Sequence, residues 1–481
     1  MTQSFSIPEE IKQITDNLEK GGFEAYLVGG CVRDLMLGKI PKDWDITTNA
    51  KPEQIIDLFP HTFYENTFGT VGVVTDGASE ETLKTVEVTP YRIESDYSDS
   101  RRPDSVHFAD KLEDDLKRRD FNMNALAYSV SQRQLIDLYN GQKDIQDKII
   151  RTVGDAGERF SEDALRILRA VRFHAQLGFS ISPETEKGIV ENEHLLSKIS
   201  RERIRDEFTK IIMSERPMDG MLALKKFNLI RYVVPELEKT IGIEQNKAHS
   251  YDVWEHLIRT VQHSADKNYP LEIRLASLFH DISKPESRRW GKEQNQWTFY
   301  GHEVLGARTT KKILENLKYP NKIVDKVVTL VRWHMFFSDT EQITLSAVRR
   351  MVANVGKENI WDLMNVRICD RIGTGRPKED PYRLRKYHAM IEEAMRDPVS
   401  VGMLKIDGKK LMEITQIPPG PKIGYTLHAL LEEVLEDPTK NTPEYMKKRG
   451  QELMQLPESE LKELGEKGKE SKEEKDQELV E

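Results

Sequence analysis

The sequence predicts an α+β chain in which a mixed sheet comes first and helices fill the remainder. From Ile7 to about Tyr139, short β-like runs alternate with amphipathic stretches, whereas from about Ile145 onward helical periodicity takes over. The 481 residues correspond to about three domains at roughly 150 residues each, enough to bury sizeable cores. An amphipathic helix carrying Ile11, Ile14 and Leu18 leads through Gly21-Gly22 to a strand over Glu24–Val28, a Gly-Gly turn and a short helix over Val32–Leu37. Further strands are predicted over Gly69–Thr75 and Leu83–Tyr91; in the second, Val86 and Val88 share one face, and Thr85, Glu87 and Thr89 the other. These elements make a head over residues 1–144. Residues 145–236 read as an Arg-dense helical neck, and residues 237–373 as a helical segment with six of the chain's twelve His. Residues 374–455 continue as helices broken by Pro418-Pro419-Gly420-Pro421, and residues 456–481 predict a charged, disordered tail.

Composition narrows the function classes. Lys and Arg number 72 against 81 Asp and Glu, a net charge of −9, which argues against a surface coated in basic groups. The tail alone holds ten acids and five Lys, so the rest of the chain carries only −4 and confined basic patches stay open to nucleic acid. No stretch is apolar over the roughly 18 residues a membrane span needs, and the N-terminus (MTQSFSIPEEIKQI) lacks a basic start before an apolar core. A cytoplasmic protein without membrane contact is expected. Cys31 and Cys369 stand far apart in no CxxC spacing, which leaves neither a disulfide framework nor a zinc knuckle.

Val28-Gly29-Gly30-Cys31-Val32-Arg33-Asp34 reads as strand, tight turn and helix start. Glycines let backbone approach a ligand closely, the N–H groups of a helix start favour phosphate, and Arg33 adds a charged donor; a plain strand-to-helix turn is the simpler reading of the glycines alone. In Lys42-Asp43-Trp44-Asp45-Ile46, residues two apart in a strand project together, so Asp43 and Asp45 would set two carboxylates side by side, an arrangement that suits Mg²⁺ in phosphoryl transfer. A solvated turn is the bland alternative. Glu87 is a further carboxylate on one face of its strand. In Lys117–Tyr128 the arginines suit a triphosphate, and the Asp and Asn beside them suit a ribose hydroxyl.

Together these segments resemble the head of the class II CCA-adding enzymes, tRNA nucleotidyltransferases of the polymerase-β-like superfamily. The resemblance covers Gly29–Asp34, Asp43–Asp45, Gly69–Val74 and Arg118–Ala125. It implies that Asp43 and Asp45 are catalytic and hold Mg²⁺, and that Gly30, Arg33 and Arg119 contact the nucleotide. The polar stretch Arg92–Arg102 resembles the family's flexible loop, whose presence favours full CCA addition over CC alone.

In the neck, Asp163 and Arg166 are three apart and would neighbour each other on a helix, able to address one base edge. Cytosine and adenine both offer an amino donor beside a ring-nitrogen acceptor. An Asp accepting from the amine and an Arg donating to the nitrogen would take C and A and refuse G and U without a nucleic-acid template. An ordinary charged helix surface is the competing reading. Glu162–Arg166 resembles the family's EDxxR element, which implies base pairing by Asp163 and Arg166 with Arg169 and Arg172 nearby. Ser200–Glu207 resembles a later family element that braces the neck helix.

Beyond the neck, His256, the pair His280-Asp281, His302, His334 and Asp370 are spaced over several predicted helices, and imidazoles and carboxylates converging this way make a transition-metal site. Their order resembles the HD superfamily of metal-dependent phosphohydrolases. By that resemblance His256, His280, Asp281 and Asp370 bind a divalent transition metal (Ni, Mn, Fe or Co), with His302 and His334 added in a two-metal variant. The substrate class would be a 2′,3′-cyclic or terminal phosphate on RNA.

The chain is therefore expected to add C, C and A to the tRNA 3′ end from CTP and ATP, with an HD phosphohydrolase activity in addition and no stable protein partner. Basic residues of the neck and of 374–455 would hold the tRNA. The rivals are a poly(A) polymerase, disfavoured by the acidic tail and by Gly69-Thr70-Val71, and a phosphohydrolase acting on RNA ends whose head only binds RNA.

Overall fold

The computed structural model describes residues 5–64, 69–75, 78, 80–95, 105–246, 250–293, 295–335, 343–376, 378–379 and 381–464. The chain forms two compact units, Met1–Val233 and Val234–Glu481.

The first unit opens with α1 (Glu9–Lys20), which buries Ile11, Ile14 and Leu18 on one stripe and places Glu9 and Glu10 in its first turn, where the helix dipole favours negative charge. Strands β1 (Ala25–Val28), β2 (Asp45–Thr48), β3 (Thr62–Tyr64), β4 (Val71–Val74) and β5 (Thr85–Pro90) come next, with α2 (Gly30–Met36) and α3 (Pro52–Leu58) between them. A hairpin of β6 (Arg92–Ser95) and β7 (Ser105–Phe108), then α4 (Leu112–Lys117), precede β8 (Leu126–Ser129) and β9 (Gln134–Asp137). The main sheet has the order β3-β4-β5-β2-β1-β8-β9. Its β2–β5 pair is parallel and its other pairs are antiparallel, so the sheet is mixed as expected. In β5, Val86 and Val88 are buried while Thr85 and Glu87 are exposed, which is the alternation read from the sequence. β8 is buried at every position and so shows no alternation to read.

The neck helices are α5 (Gly141–Gln146), α6 (Ala156–Glu162), α7 (Leu165–Leu177), α8 (Pro183–Asn192), α9 (Arg201–Ile212), α10 (Pro217–Lys226) and α11 (Ile230–Val233), with a short parallel pair of β10 (Ile149–Ile150) and β11 (Ser180–Ile181). The Asp155 carboxylate accepts from the Glu158 N–H at 3.0 Å to start α6, and Gly178, at φ +69°, stops α7.

The second unit holds α12 (Val253–Asp266), α13 (Leu271–Phe279), α14 (Lys284–Ser287), the hairpin β12 (Arg289–Gly291) and β13 (Gln296–Thr298), α15 (His302–Asn316), α16 (Asn321–Trp333), α17 (Leu345–Val355) and α18 (Ile360–Gly373). It ends in α19 (Tyr382–Ala394), α20 (Gly408–Thr415), α21 (Pro421–Glu436) and α22 (Pro443–Leu453). The end of α18 lies directly on α12: a Cβ at Gly373 would sit 2.0 Å from the Thr260 hydroxyl and 3.1 Å from the His256 carbonyl. The disordered tail expected from Leu456 is corrected at its start. Residues 458–464 are helical and Leu461 is fully buried, because its apolar side chain finds cover that composition alone does not reveal. Residues 465–481, and residues 96–102 of the expected Arg92–Arg102 loop, lie outside the described residues.

Candidate functional site

Gly29 is where the head's motifs meet. Its φ of +79° suits glycine, and a Cβ there would lie 2.8 Å from Arg119 Nη1 and 3.9 Å from Asp45 Oδ2. The Gly-Gly turn, the second strand and the Arg-rich segment thus converge at one backbone atom. Arg33 donates to Asn124 Oδ1 at 2.9 Å and, through Nη2, to Asp34 Oδ1 at 2.7 Å, which ties the turn to the Asn of the Arg-rich segment. Arg33 Nη2 also lies 3.7 Å from where a Gly30 Cβ would be. Asp115, fully buried, accepts from Arg118 at 2.6 Å and Arg119 at 3.1 Å. Burial pushes its carboxyl up, but the two guanidiniums outweigh burial and hold it below its usual range. The Cys31 thiol donates to the Val28 and Asp45 carbonyls, pinning α2 to β2, and burial followed by the Asp45 charge pushes it up to about 12.

The carboxylates require one correction. β2 begins at Asp45, so Asp43 precedes the strand and the period-two argument does not apply to it. What the structure offers instead is a buried anchor, Trp44 at 4% exposure, between an exposed Asp43 and a half-buried Asp45. Asp45 stands in parallel register with Glu87 on β5. Hard carboxylate oxygens beside a guanidinium are a donor set that fits Mg²⁺ with a phosphate. Among the described residues, tight clusters of three or more ligand atoms occur in the second unit.

The neck departs further from expectation. Asp163 is not helical; at φ −143° and ψ 102° it ends α6, and α7 starts at Leu165. Helical neighbourhood of Asp163 and Arg166 is therefore overturned, because an extended backbone separates the two helices. Asp163 Oδ2 accepts from Arg203 on α9 at 2.7 Å, and Oδ1 accepts from the Leu165 N–H at 3.1 Å. Arg166, 8% exposed, donates to Glu162 Oε2 at 2.6 Å and to the Arg118 carbonyl at 3.0 Å. Arg169 pairs with Asp120 at 2.6 Å and so joins neck to head. Burial works against the Asp120 charge, yet Arg169 and the Asn124 amide outweigh it and hold the carboxyl at about 2. Arg172 is buried against Glu207 at 3.2 Å and lies 4.2 Å from the Phe173 ring centroid. Its observed contacts are therefore those of a brace between α7 and α9.

In the second unit the six expected ligands come together. His256, His280, Asp281 and Asp370 form one cluster, and Asp281, His302 and His334 another, each with its ligand atoms within 4.8 Å of one another. Asp281 bridges them: Oδ2 lies 3.2 Å from the Nε2 of both His256 and His280, and Oδ1 lies 3.1 Å from that of His302 and 3.5 Å from that of His334. His280, His302 and His334 turn Nδ1 to the carbonyls of Ser277 (2.9 Å), Phe299 (2.6 Å) and Val331 (2.7 Å). That bond fixes the Nδ1–H tautomer and leaves each Nε2 lone pair aimed inward. Opposed Nε2 atoms 3.0 Å apart in His256 and His280, and 3.3 Å apart in His302 and His334, make sense around cations. The residues present therefore fit two divalent transition metals.

Without a cation, burial opposes charge on His280, but Asp281 and Asp370 overcome it and push the imidazole up to about 10. Burial holds His334 at about 4, neutral and ready to ligate. Lys284 and Arg367 pair with Asp281 and Asp370, each at 2.6 Å. Sequence reading missed these two, and also Asp115. Lys284 and Arg367 stand at i+3 and i−3 from their acids, a spacing that was there to be read; Arg203 belongs to Ser200–Glu207, expected as a brace, though its partner Asp163, forty residues away, was not foreseen.

Family comparisons agree with this layout. Residues 25–151 match the Poly A polymerase head domain, residues 178–241 the "Probable RNA and SrmB- binding site of polymerase A", and residues 248–371 the HD domain, which spans the His and Asp clusters. The CCA-adding enzyme of Geobacillus stearothermophilus is 33% identical over 442 residues, 91% of this chain and 95% of the relative. This chain belongs to the CCA-adding enzyme family. CCA-adding enzymes are nucleotidyltransferases that use CTP and ATP, and the chain carries an HD domain in addition. The CCA-adding enzyme of Lactobacillus delbrueckii subsp. bulgaricus is 47% identical over 215 residues, 44% of this chain and 52% of the relative. The crystal structure of the Bacillus stearothermophilus CCA-adding enzyme in complex with CTP is similar with a TM-score of 0.69 and 29% identity, covering 93% of this chain and 98% of that one. No described helix is long and apolar enough to cross a membrane.

Proposed function

We propose that the head's Asp43 and Asp45, with Glu87 alongside, form the catalytic centre in which a tRNA 3′-hydroxyl attacks the α-phosphate of CTP and then ATP, releasing pyrophosphate. The observation that carries this is the convergence of Gly29, Asp45 and Arg119. Arg119, held by Asp115, and Arg33, held by Asp34 and Asn124, are fixed before substrate arrives, so they orient the triphosphate without reorganisation. Mg²⁺ held by Asp43 and Asp45 would supply charge stabilisation to the displacement. Asp163 and Arg166 select the base, and to do so they exchange the Arg203 and Glu162 pairs for hydrogen bonds to cytosine or adenine. Arg169 supports this by locking α7 to Asp120. Basic residues of the neck and of 374–455 hold the tRNA, and the work is cytoplasmic.

The second unit is proposed to hydrolyse phosphoesters at RNA ends with Ni, Mn, Fe or Co on its six ligands. The paired clusters bridged by Asp281 support this reading. Incubating the full chain with tRNA lacking its terminus and with CTP, ATP or both tests the head. Addition that stops at CCA is expected; open-ended A addition would move the chain to the poly(A) polymerase reading.

A further inference from the structure

The row of residues that carries Asp45 runs on across the sheet of the head. Asp45 stands opposite Glu87, Glu87 opposite Gly72 and Gly72 opposite Phe63, on β2, β5, β4 and β3 in turn. Residues opposite one another share a face, so the two acids, the glycine and the ring lie on one side of the sheet. The other side is core: Ile46, Val71, Val73, Val86 and Val88 are each at most 2% exposed. Phe63 is 44% exposed on the edge strand. A single exposed ring needs no explanation, but the direction of this one does. Its far end lies over Gly72, where a Cβ would stand 2.5 Å from Cζ and 2.8 Å from Cε2, and Gly72 is buried although it carries no side chain. The ring thus leans from β3 towards the acids, and its tip is one strand spacing, roughly 4.8 Å, from the strand that carries Glu87.

The side of Asp45 on which this ring stands gives it a role. Gly29, against which Arg119 lies, follows β1, and β1 flanks β2 on the side away from β5. The guanidinium for the triphosphate is therefore on the β1 side of Asp45, and Phe63 is on the opposite side. In phosphoryl transfer the attacking and leaving oxygens are roughly in line through phosphorus. Pyrophosphate departing towards β1 leaves the side of β5, β4 and β3 to the nucleophile.

We propose that Phe63, bedded on Gly72, is the platform on which the terminal nucleoside of the tRNA acceptor strand stacks, so that its 3′-hydroxyl is held towards the α-phosphate. The proposal rests on the reading of Asp43 and Asp45 as the catalytic centre. A flat ring accepts any base through its π-face, which suits an acceptor end that changes with each addition.

Steady-state addition by the full chain, with tRNA lacking its terminus and CTP varied separately, tests the platform. Phe63→Ala should raise KM for tRNA about tenfold and leave KM for CTP unchanged. Phe63→Tyr should keep the unaltered value. Phe63→Leu, which still covers Gly72 but has no π-face, should behave as Phe63→Ala does, and so should Gly72→Ala, which keeps the ring and displaces it. A tRNA whose last residue lacks its base should show the same rise of about tenfold on the unaltered chain, and Phe63→Ala should add nothing further to it, as for two partners of one contact. Three results would overturn the proposal: Phe63→Leu with the unaltered KM for tRNA, a rise in KM for CTP in place of tRNA, or losses from Phe63→Ala and the missing base that simply add. The Asp43→Ala, Asp45→Ala chain is measured beside these variants. If it still adds nucleotides, the catalytic reading fails and the platform with it; if it does not, and Phe63→Ala leaves KM for tRNA unchanged, the platform alone fails.

Discussion

Gly29 carries more of the head's architecture than its missing side chain suggests. Its positive φ and the 2.8 Å approach of Arg119 both exclude a Cβ. Gly29→Ala should therefore cost about 1 kcal/mol in stability through the backbone alone and push Arg119 from its place. The expected kinetic result is a rise in KM for CTP and ATP of about tenfold or more, read by single-nucleotide addition. Asp163 and Arg203 make a second pair to separate. If Asp163 reads the base, Asp163→Ala loses discrimination against UTP and GTP by about 10² or more, as expected when a polar reader is removed; Arg203→Ala should retain it. Asp120 sets a pH dependence. Its carboxyl ordinarily titrates near 3.8 and is depressed in the fold to about 2, so its contribution of about 2 kcal/mol is present above pH 4 and lost as pH falls through 2. Acid unfolding of Asp120→Asn, followed by circular dichroism, should lack that part of the slope.

Elements explain which expectations survived. The alternation in β5 was legible because one of its faces is buried and the other exposed, whereas β8 is buried throughout and carried no such pattern. Helical spacing failed between Asp163 and Arg166 because an extended residue divides α6 from α7, and nothing in the local charge pattern announces that break. Strand spacing failed at Asp43 for a related reason, since the strand starts two residues later. The six His and Asp residues that cluster in the second unit were legible from residue type together with the resemblance of their order to the HD superfamily. Their braces were less so, since Lys284 and Arg367 read as ordinary surface cations. The approach of α18 to α12 through Gly373 had no sequence signal, yet it sets Asp370 against His256 at 3.3 Å. Gly373→Val should force these helices apart and weaken metal binding in the second unit by about tenfold or more, measured by metal titration, while nucleotide addition continues.

The chain has two compact units, with the polymerase head match in the first and the HD match in the second. Replacing Asp281, which belongs to both His and Asp clusters, should abolish the proposed hydrolysis and leave CCA addition intact. Binding of tRNA should weaken with rising salt, since phosphate contacts release counterions. The most direct measurement is incorporation of CMP into tRNA lacking its terminus by a chain carrying Asp43→Ala and Asp45→Ala, with folding checked by circular dichroism. A loss of about 10³-fold or more, with phosphoester hydrolysis unchanged, is predicted. Incorporation at the unaltered chain's rate would contradict the assignment of the catalytic centre.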